Sequence, residues 1–138
     1  MKFENSLRPS DEQLKSFFAR AGTEQDGPVV MVNLLKFRER AAYPDGRDEH
    51  LSGQEAYMRY GIEVAKLVSK LGGRMVFGGT VDGLMLGECE ELWDHVALVE
   101  YPSRAAFMEM IMSPDYHAIE VHREAGLAGQ LNIGVRPA

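Results

Sequence analysis

The chain has 138 residues, of which 45% are hydrophobic and 26% are charged, and its formal net charge at pH 7 is −6. This length fits one domain, residues 1–138, and the acidic balance argues against nucleic acid as a partner because phosphate binding needs a basic surface. No apolar run approaches the roughly 20 residues of a membrane helix, and the N-terminal residues lack the apolar stretch of a secretory signal. We therefore expect no membrane partner and a cytoplasmic location.

The first predicted element is a short helix within an N-terminal extension, residues 1–27. Ser10 and Gln13 have the spacing of a capping box, which marks the start of a helix. The apolar side chains that follow recur on one side of that helix: Leu14, Phe17 and Phe18.

Residues 28–37 predict the first strand of the core. Alternation along the strand places Val30, Val32 and Leu34 on one face, and Met31, Asn33, Leu35 and Phe37 on the other. The all-aliphatic face is expected to pack against helices, which puts Asn33 on the opposite face. An amide in an apolar strand needs hydrogen-bond partners wherever it is buried.

Residues 38–51 have no helical or strand period and contain the turn signal Pro-Asp-Gly, so they predict an unusually long loop. Two interpretations stay open: a functional loop, or an excursion that only extends the strand or assists a subunit contact. Ser52 and Glu55 repeat the capping-box spacing and begin a helix that ends at Gly72-Gly73.

The second half of the chain repeats the pattern of strand and helix. Residues 74–88 predict a glycine-interrupted strand with a bulge or turn, and residues 93–101 a further strand that stops at Pro102. A helix then runs from Ser103 to a point before Pro114, a second short helix follows, and residues 130–135 predict the last strand.

The order of elements in residues 28–138 is strand, helix, strand, strand, helix, strand. Right-handed crossovers convert this order into a split β-α-β arrangement, the ferredoxin-like α+β fold, with a four-stranded antiparallel sheet and helices on one face. The other sheet face would expose apolar side chains, and packing two sheets face to face covers them. We therefore expect a homodimer.

Three segments carry a family resemblance: GGRMVFGG at 72–79, WDHVALVEYPSRAAF at 93–107 and SPDYHAI at 113–119. In this order and spacing they resemble the domain of unknown function 1330 family, over roughly residues 54–135. The resemblance implies a dimeric α+β barrel. Relatives by fold include cofactor-free monooxygenases, lactone isomerases, dechlorinating enzymes and haem-degrading enzymes, and fold alone does not select among them.

The histidines do not predict a metal site. His117 and His122 are five residues apart, which is not the i, i+4 spacing that aims two imidazoles at one metal from a helix. No HExxH or CxxC motif occurs. We therefore expect neither a metal nor another cofactor.

Two carboxylates lie at the ends of the strand at 93–101. Asp94 and Glu100 share one face with Val96 and Leu98, whereas the other face holds small side chains suited to lie beneath helices. This favours Asp94 and Glu100 on the open side of the sheet. A carboxylate in an apolar cavity has a raised pKa and can move protons, but an ion pair with Arg74 or Lys36 is the alternative.

These residues support two hypotheses. In the first, a cofactor-independent enzyme acts on a small organic molecule, with Asn33 and Arg74 orienting the substrate or stabilising an oxyanion while Asp94 or Glu100 moves the proton. In the second, the protein is a non-catalytic ligand-binding or structural homodimer. Aromatic side chains with a polar atom are the candidates to line a ligand pocket in either case: Tyr57, Tyr60, Trp93 and Tyr116.

Overall fold

The computed structural model describes residue 4 and residues 6–138. The described elements, in chain order, are α1 (Asp11–Phe17) with a 3-10 turn (Phe18–Arg20), β1 (Val29–Phe37), α2 (Gly53–Lys70), β2 (Arg74–Thr80), β3 (His95–Tyr101), α3 (Arg104–Ile111), α4 (Pro114–Gly126) and β4 (Leu127–Val135). The four strands form one antiparallel sheet in the order β2-β3-β1-β4. This is the predicted ferredoxin-like α+β fold.

Both predicted capping boxes are present. The Ser10 hydroxyl accepts from the Gln13 backbone N–H while the Gln13 side chain accepts from the Ser10 N–H, and Ser52 and Glu55 form the same pair of bonds at the start of α2. The side chains that α2 buries lie along one stripe: Ala56, Tyr60, Val64 and Val68. The helix starts were therefore predictable from local spacing.

The predicted faces of β1 are reversed in the structure. Val29 and Met31 belong to the core beneath the helices, and Leu35 is fully buried, whereas Val30 and Val32 lie on the open face. The prediction that the all-aliphatic set packs against the helices is wrong. Both faces of this strand are apolar, so its own pattern does not tell which face the helices cover.

The predicted faces of β3 agree with the structure. Ala97, Val99 and Tyr101 are buried beneath the helices, and Glu100 lies on the open face. Asn33 pairs with Ala97 across the two strands, so its side chain lies on the helix face. Asn33 is therefore separated from the carboxylates with which it was expected to act.

The strand β2 ends sooner than expected, at Thr80, and its register shifts between Met75 and Phe77. A bulge of this kind bends an edge strand. Residues 81–94 then form an irregular connection to β3. At the other edge, β4 begins directly after α4, at Leu127 rather than near residue 130.

The long loop at 38–51 is docked rather than free. The N–H groups of Arg38 and Ala42 donate to the carbonyl groups of Gly126 and Ala125, at 2.8 and 2.9 Å. Ala41 and Tyr43 are buried in a second, smaller core cluster between α2 and α4. The loop thus forms part of the packed structure.

The open face of the sheet is incompletely covered. Phe77 is 58% exposed and Ile133 46%, and both lie on this face. None of the helices in the described part of the chain is long and apolar enough to cross a membrane.

Candidate functional site

A cleft of about 770 Å³ lies on the helix side of the sheet, between the N-terminal segment, the start of α3 and the strands β1 and β4. Its apolar walls include the side chains of Leu14, Phe17, Phe18, Met31, Phe107 and Ile111. Its charged lining consists of four arginines, Arg8, Arg20, Arg104 and Arg123, and two carboxylates, Glu4 and Glu12.

The floor of the cleft is a chain of hydrogen bonds that crosses three elements. Arg123 of α4 donates through Nη2 to Oε1 of Gln130, at 2.6 Å, and Gln130 donates through Nε2 to Oδ1 of Asn33, at 2.7 Å. Gln130 is buried, with 7% exposure. Since Gln130 is bonded at both ends of its amide, the guanidinium of Arg123 is held by fixed neighbours rather than by solvent.

Arg123 also fixes the N-terminal segment, because its Nη1 donates to the Leu7 carbonyl at 2.7 Å. Both acceptors of the guanidinium, this carbonyl and the Gln130 amide, are neutral. Among the described residues no carboxylate forms an ion pair with Arg123. Its guanidinium therefore has no directly bonded carboxylate within this part of the chain.

A second arginine, Arg104, occupies the wall of the cleft. Its Nη1 donates to the Phe17 carbonyl at 2.7 Å, and its guanidinium carbon lies 4.4 Å from the centre of the Phe17 ring. Arg104 likewise has no carboxylate partner in the described residues.

Asp26 positions this wall. Its carboxylate accepts from the backbone N–H groups of Gly22, Gly27, Arg104 and Ala105, at 2.8 to 3.1 Å. Burial alone would raise the pKa of Asp26, but these four donors outweigh burial and lower the pKa to about 2. One carboxylate thus ties the end of the N-terminal extension to the first turn of α3.

The predicted ligand tyrosines form a cluster behind the cleft. Tyr60 is buried, and its hydroxyl lies 3.3 Å from that of Tyr116, while the Tyr57 ring packs on Tyr60 at 5.3 Å between centroids. Burial raises the pKa of Tyr57 to about 12, and the nearby charge of Arg123 opposes this rise. These tyrosines support the floor but do not line the cleft, and Trp93 lies apart, just before β3.

Glu100 and Arg74 lie on the open face and pair with each other. Arg74 Nη2 is 3.5 Å from Glu100 Oε2, across the β2–β3 ladder. The Arg74 side chain is 69% exposed, so this pair contributes little stability.

Asp94 lies at the far end of the sheet and is also paired. Its Oδ1 is 3.3 Å from Lys36 Nζ, and its Oδ2 accepts from the Phe37 N–H at 2.9 Å. The structure therefore does not bring Asn33, Arg74, Asp94 and Glu100 together. Both carboxylates have the ion pairs that were the alternative to a catalytic role.

The residues that make the cleft polar were not among those predicted from the sequence. Arg123, Gln130 and Arg104 carry no short motif, and Gln130 meets Asn33 across 97 positions of sequence. The one available signal was Asn33, because a buried amide requires partners. Within the described residues, no group of three or more His, Cys, Asp or Glu side chains could hold a metal ion.

Comparisons with known proteins identify relatives of this chain. The family model described as domain of unknown function (DUF1330) matches residues 48–133. The crystal structure of RPA0582, a protein of unknown function from Rhodopseudomonas palustris, is 38% identical over 98% of each chain, with a TM-score of 0.85. That of methylated RPA0582 is also 38% identical, over 99% of this chain and 97% of that chain, with a TM-score of 0.86.

A more distant structure shares the fold. A dimeric ferredoxin-like protein of unknown function from Jannaschia sp. is 12% identical, covers 80% of this chain and 100% of its own, and has a TM-score of 0.52. No curated protein matches this chain significantly.

Proposed function

The chain belongs to the family described as domain of unknown function (DUF1330), and on that premise we propose that it is a homodimer in which each subunit binds a small organic anion with an apolar body. The observation that supports this proposal is the cleft whose floor holds the guanidinium of Arg123, which no carboxylate of the described residues bonds directly.

The arginines of the cleft favour an anionic ligand. Arg8 is neutralised by Glu124, with Nε and Oε1 at 2.6 Å, but Arg104 and Arg123 have no carboxylate partner in the described part of the chain. In a protein of net charge −6, a cleft whose lining holds four arginines and two carboxylates, Glu4 and Glu12, is a local exception. A carboxylate there would gain charge-assisted hydrogen bonds, which are about twice as strong as neutral ones.

The apolar walls of the cleft favour a ligand whose remaining part is apolar. Phe17 and Phe107 meet edge to face at 6.1 Å, and both line the cleft with Met31, which is 4% exposed. Ligand pockets of about 300–1,000 Å³ with mostly apolar walls and few polar groups suit small organic molecules. A ring or a short aliphatic chain is the body that this surface would take.

Binding fits the geometry better than proton transfer. Asp94 and Glu100, the two expected proton carriers, lie outside the cleft and are ion-paired. The amide of Asn33 bonds to Gln130 and to two backbone carbonyls. The non-catalytic alternative is therefore the one that we propose for this cleft.

The proposal of a homodimer is based on the apolar side chains of the open face of the sheet. Val30, Val32, Leu34 and Val96 lie there, together with the exposed Phe77. A contiguous apolar sheet face that is open to solvent is covered most simply by a second copy of the same chain. The protein from Jannaschia sp. is described as dimeric, which agrees with this proposal.

A thermal-shift comparison tests the ligand class. Octanoate and 3-phenylpropionate are each compared with the corresponding uncharged amide, in wild-type protein and in Arg123→Gln. We expect both acids, and neither amide, to raise the melting temperature of wild type by several degrees, since ligand at about 100 times its Kd adds about 2.7 kcal/mol.

The comparison distinguishes a loss of ligand binding from a loss of protein stability. Each is compared with its own melting temperature without ligand, so a lower baseline in Arg123→Gln does not affect the result. Arg40→Gln, an exposed arginine of the 38–51 loop, is the matched control and should respond like wild type. Equal stabilisation by acid and amide, or an unchanged response in Arg123→Gln, would contradict the proposal.

A further inference from the structure

A second cleft, of about 380 Å³, lies at the end of the sheet where α2 begins. Among the described residues, none lines both this cleft and the one described above. Phe37 and Val81 are its apolar members, and the rest of its lining is polar: Arg38, Ser52, Gln54, Thr80 and Asp94. The lining therefore suits a small and hydrophilic molecule.

The guanidinium of Arg38 has no partner from the chain in this cleft. Its Nε atom is buried, and within residue 4 and residues 6–138 the Arg38 side chain forms no hydrogen bond and no ion pair. A buried charged donor without a partner costs folding free energy, so its presence needs a reason other than packing. The other such atom in the described residues is Nδ1 of His95, which pairs with Thr80 across the β2–β3 ladder. Both atoms thus belong to the same end of the sheet.

The backbone of Arg38 is fixed on both sides. Its N–H donates to the Gly126 carbonyl at 2.8 Å, and its carbonyl accepts from the Gly53 N–H at 3.1 Å. A Cβ atom on Gly53 would overlap the Arg38 carbonyl oxygen, so the start of α2 packs directly on this residue. Because the main chain is already held, binding a ligand at Arg38 requires little further ordering of the backbone.

Asp94 is the one carboxylate in the described lining, and both of its oxygens are already bonded. Oδ1 is 3.3 Å from Lys36 Nζ, and Oδ2 accepts from the Phe37 N–H at 2.9 Å. The lining is formally neutral, so the unpaired donors of Arg38, rather than an excess of positive charge, favour an anionic group. A carboxylate matches the planar fork of a guanidinium.

The uncharged polar groups of the cleft favour hydroxyl groups on the ligand. The Ser52 hydroxyl accepts from the Glu55 N–H at 3.0 Å and keeps its own proton to donate. The Thr80 hydroxyl and the Gln54 side-chain amide have no hydrogen bond within the part of the chain that the structure describes. An apolar ligand body would take these groups out of water without giving them a partner.

We propose that this second cleft binds a small hydroxy acid, with its carboxylate on Arg38 and its hydroxyl groups on Ser52, Gln54 and Thr80. The inference goes beyond the homodimer and the apolar-bodied anion proposed above and depends on neither. Glycerate, with one carboxylate and two hydroxyl groups, is the probe. Glycerol lacks the carboxylate, and butyrate lacks the hydroxyl groups.

Nuclear magnetic resonance of ¹⁵N-labelled protein locates the probe. Glycerate at millimolar concentration should give saturable shifts of Arg38 Nε and of the Gln54 backbone amide. Glycerol should give none, and butyrate should bind this site more weakly than glycerate. Followed at the Gln54 amide, Arg38→Gln should weaken glycerate binding by about tenfold or more, and Thr80→Val by about threefold.

Arg40→Gln is the matched control, because it removes an exposed arginine only two residues away and should leave glycerate binding unchanged. Circular dichroism checks the fold of each variant, and Thr80→Val, at an exposed position, tests the site even if Arg38→Gln does not fold. No saturable shift with glycerate, equal shifts with glycerol, or undiminished affinity in the variant that folds would overturn the proposal. Glycerate that shifts Arg123 Nε instead of Arg38 Nε would place it in the other cleft and overturn this site alone.

Discussion

Asn33 uses both ends of its amide within the protein. Its Nδ2 donates to the Met31 and Ala97 carbonyls, at 3.3 and 3.2 Å, and its Oδ1 accepts from Gln130 at 2.7 Å. The sequence indicated that this residue was special, since an amide interrupts an apolar strand. It did not indicate the purpose, because the partner Gln130 is brought to it only by the pairing of β1 with β4.

Asn33→Leu should therefore destabilise the empty protein. The substitution leaves Nε2 of the buried Gln130 without an acceptor, which costs about 1–3 kcal/mol of unfolding free energy. Urea unfolding measures this difference. Asn132→Leu is the matched control, because Asn132 lies opposite Asn33 on β4 but is exposed, and a change within about 0.5 kcal/mol is expected. Equal stabilities for Asn33→Leu and wild type would contradict the assigned bonds.

Because the pKa of Asp26 is lowered in the folded protein, we expect the stability of the protein to depend on pH. Its pKa in the folded protein is about 2, below its usual value of 3.8, so the folded state binds fewer protons than the unfolded state. The contribution of Asp26 is thus fully present above pH 4 and is lost as the pH falls towards 2.

The comparison of wild type with Asp26→Asn isolates this contribution. At pH 6 the variant should be less stable by about 1.5–3 kcal/mol, the usual range for hydrogen bonds to a charged group, and the difference should shrink as the pH approaches 2. Asp82→Asn, at an exposed position in the connection between β2 and β3, should show almost no difference at either pH. A difference for Asp26→Asn that stays constant with pH would argue against the carboxylate as its source.

At the scale of elements, the crossing of α2 and α4 depends on close backbone approach. A Cβ atom on Gly126 would lie 2.7 Å from the Tyr57 nitrogen and 2.9 Å from the Tyr57 Cβ, inside contact distance. The pairing of these two helices was not predictable from local sequence, because the two glycines that permit it, Gly53 at the start of α2 and Gly126 at the end of α4, are far apart in the chain.

Gly126→Ala should force α4 away from α2. Overpacking of this kind costs about 1–3 kcal/mol, measurable as a lower urea midpoint. Gly61→Ala, within α2, is the control, since no heavy atom lies within 4 Å of its added Cβ. That change should stabilise by about 0.4–1 kcal/mol through the unfolded state. Tolerance of alanine at both positions would show that the helices do not approach as closely as described.

The 38–51 loop is anchored by a contact that responds to pH. The Tyr43 hydroxyl lies 2.6 Å from His122 Nδ1, which can accept a hydrogen bond from this hydroxyl only when the imidazole is neutral. Burial lowers the pKa of His122 below its usual 6.5, and the charges of Arg59 and Arg47 lower it further. The folded state thus favours neutral His122, and this stability is lost as the pH falls below about 6.5.

Hydrogen exchange tests this anchor. After correction for intrinsic exchange, the amides of Ala41 and Ala42, which bond to Leu51 and Ala125, should lose protection between pH 7 and pH 5. His122→Gln should show no such loss, and the Val64 amide within α2 serves as the internal control. Constant protection of Ala41 and Ala42 in wild type would contradict the anchor.

At the scale of the whole molecule, element order was enough to predict the fold. Strand and helix periods, two capping boxes and the Pro and Gly boundaries place the ferredoxin-like elements within a few residues. The faces of β1 were not predictable, because both of them are apolar, the face beneath the helices and the open face alike. The alternation of Val30 and Met31 does not indicate which of the two side chains lies beneath the helices.

The candidate site was also not predictable from local sequence. Arg123, Gln130 and Asn33 come from three elements, and only the antiparallel order β3-β1-β4 under α4 brings them to one floor. Sequence analysis favoured charged residues close together in sequence, near the strand at 93–101. The carboxylates of Asp94 and Glu100 instead form ion pairs with Lys36 and Arg74 at the two ends of the sheet.

The most direct test of the proposed organic-anion site is to locate a bound acid by nuclear magnetic resonance. Titration of 3-phenylpropionate into ¹⁵N-labelled protein should shift the side-chain signals of Arg123 Nε and Gln130 Nε2 and the backbone amide of Phe107, while 3-phenylpropionamide should not. Shifts that are confined to the open face, at Leu98 and Glu100, or no saturable shifts at millimolar acid, would contradict an organic-anion site in this cleft.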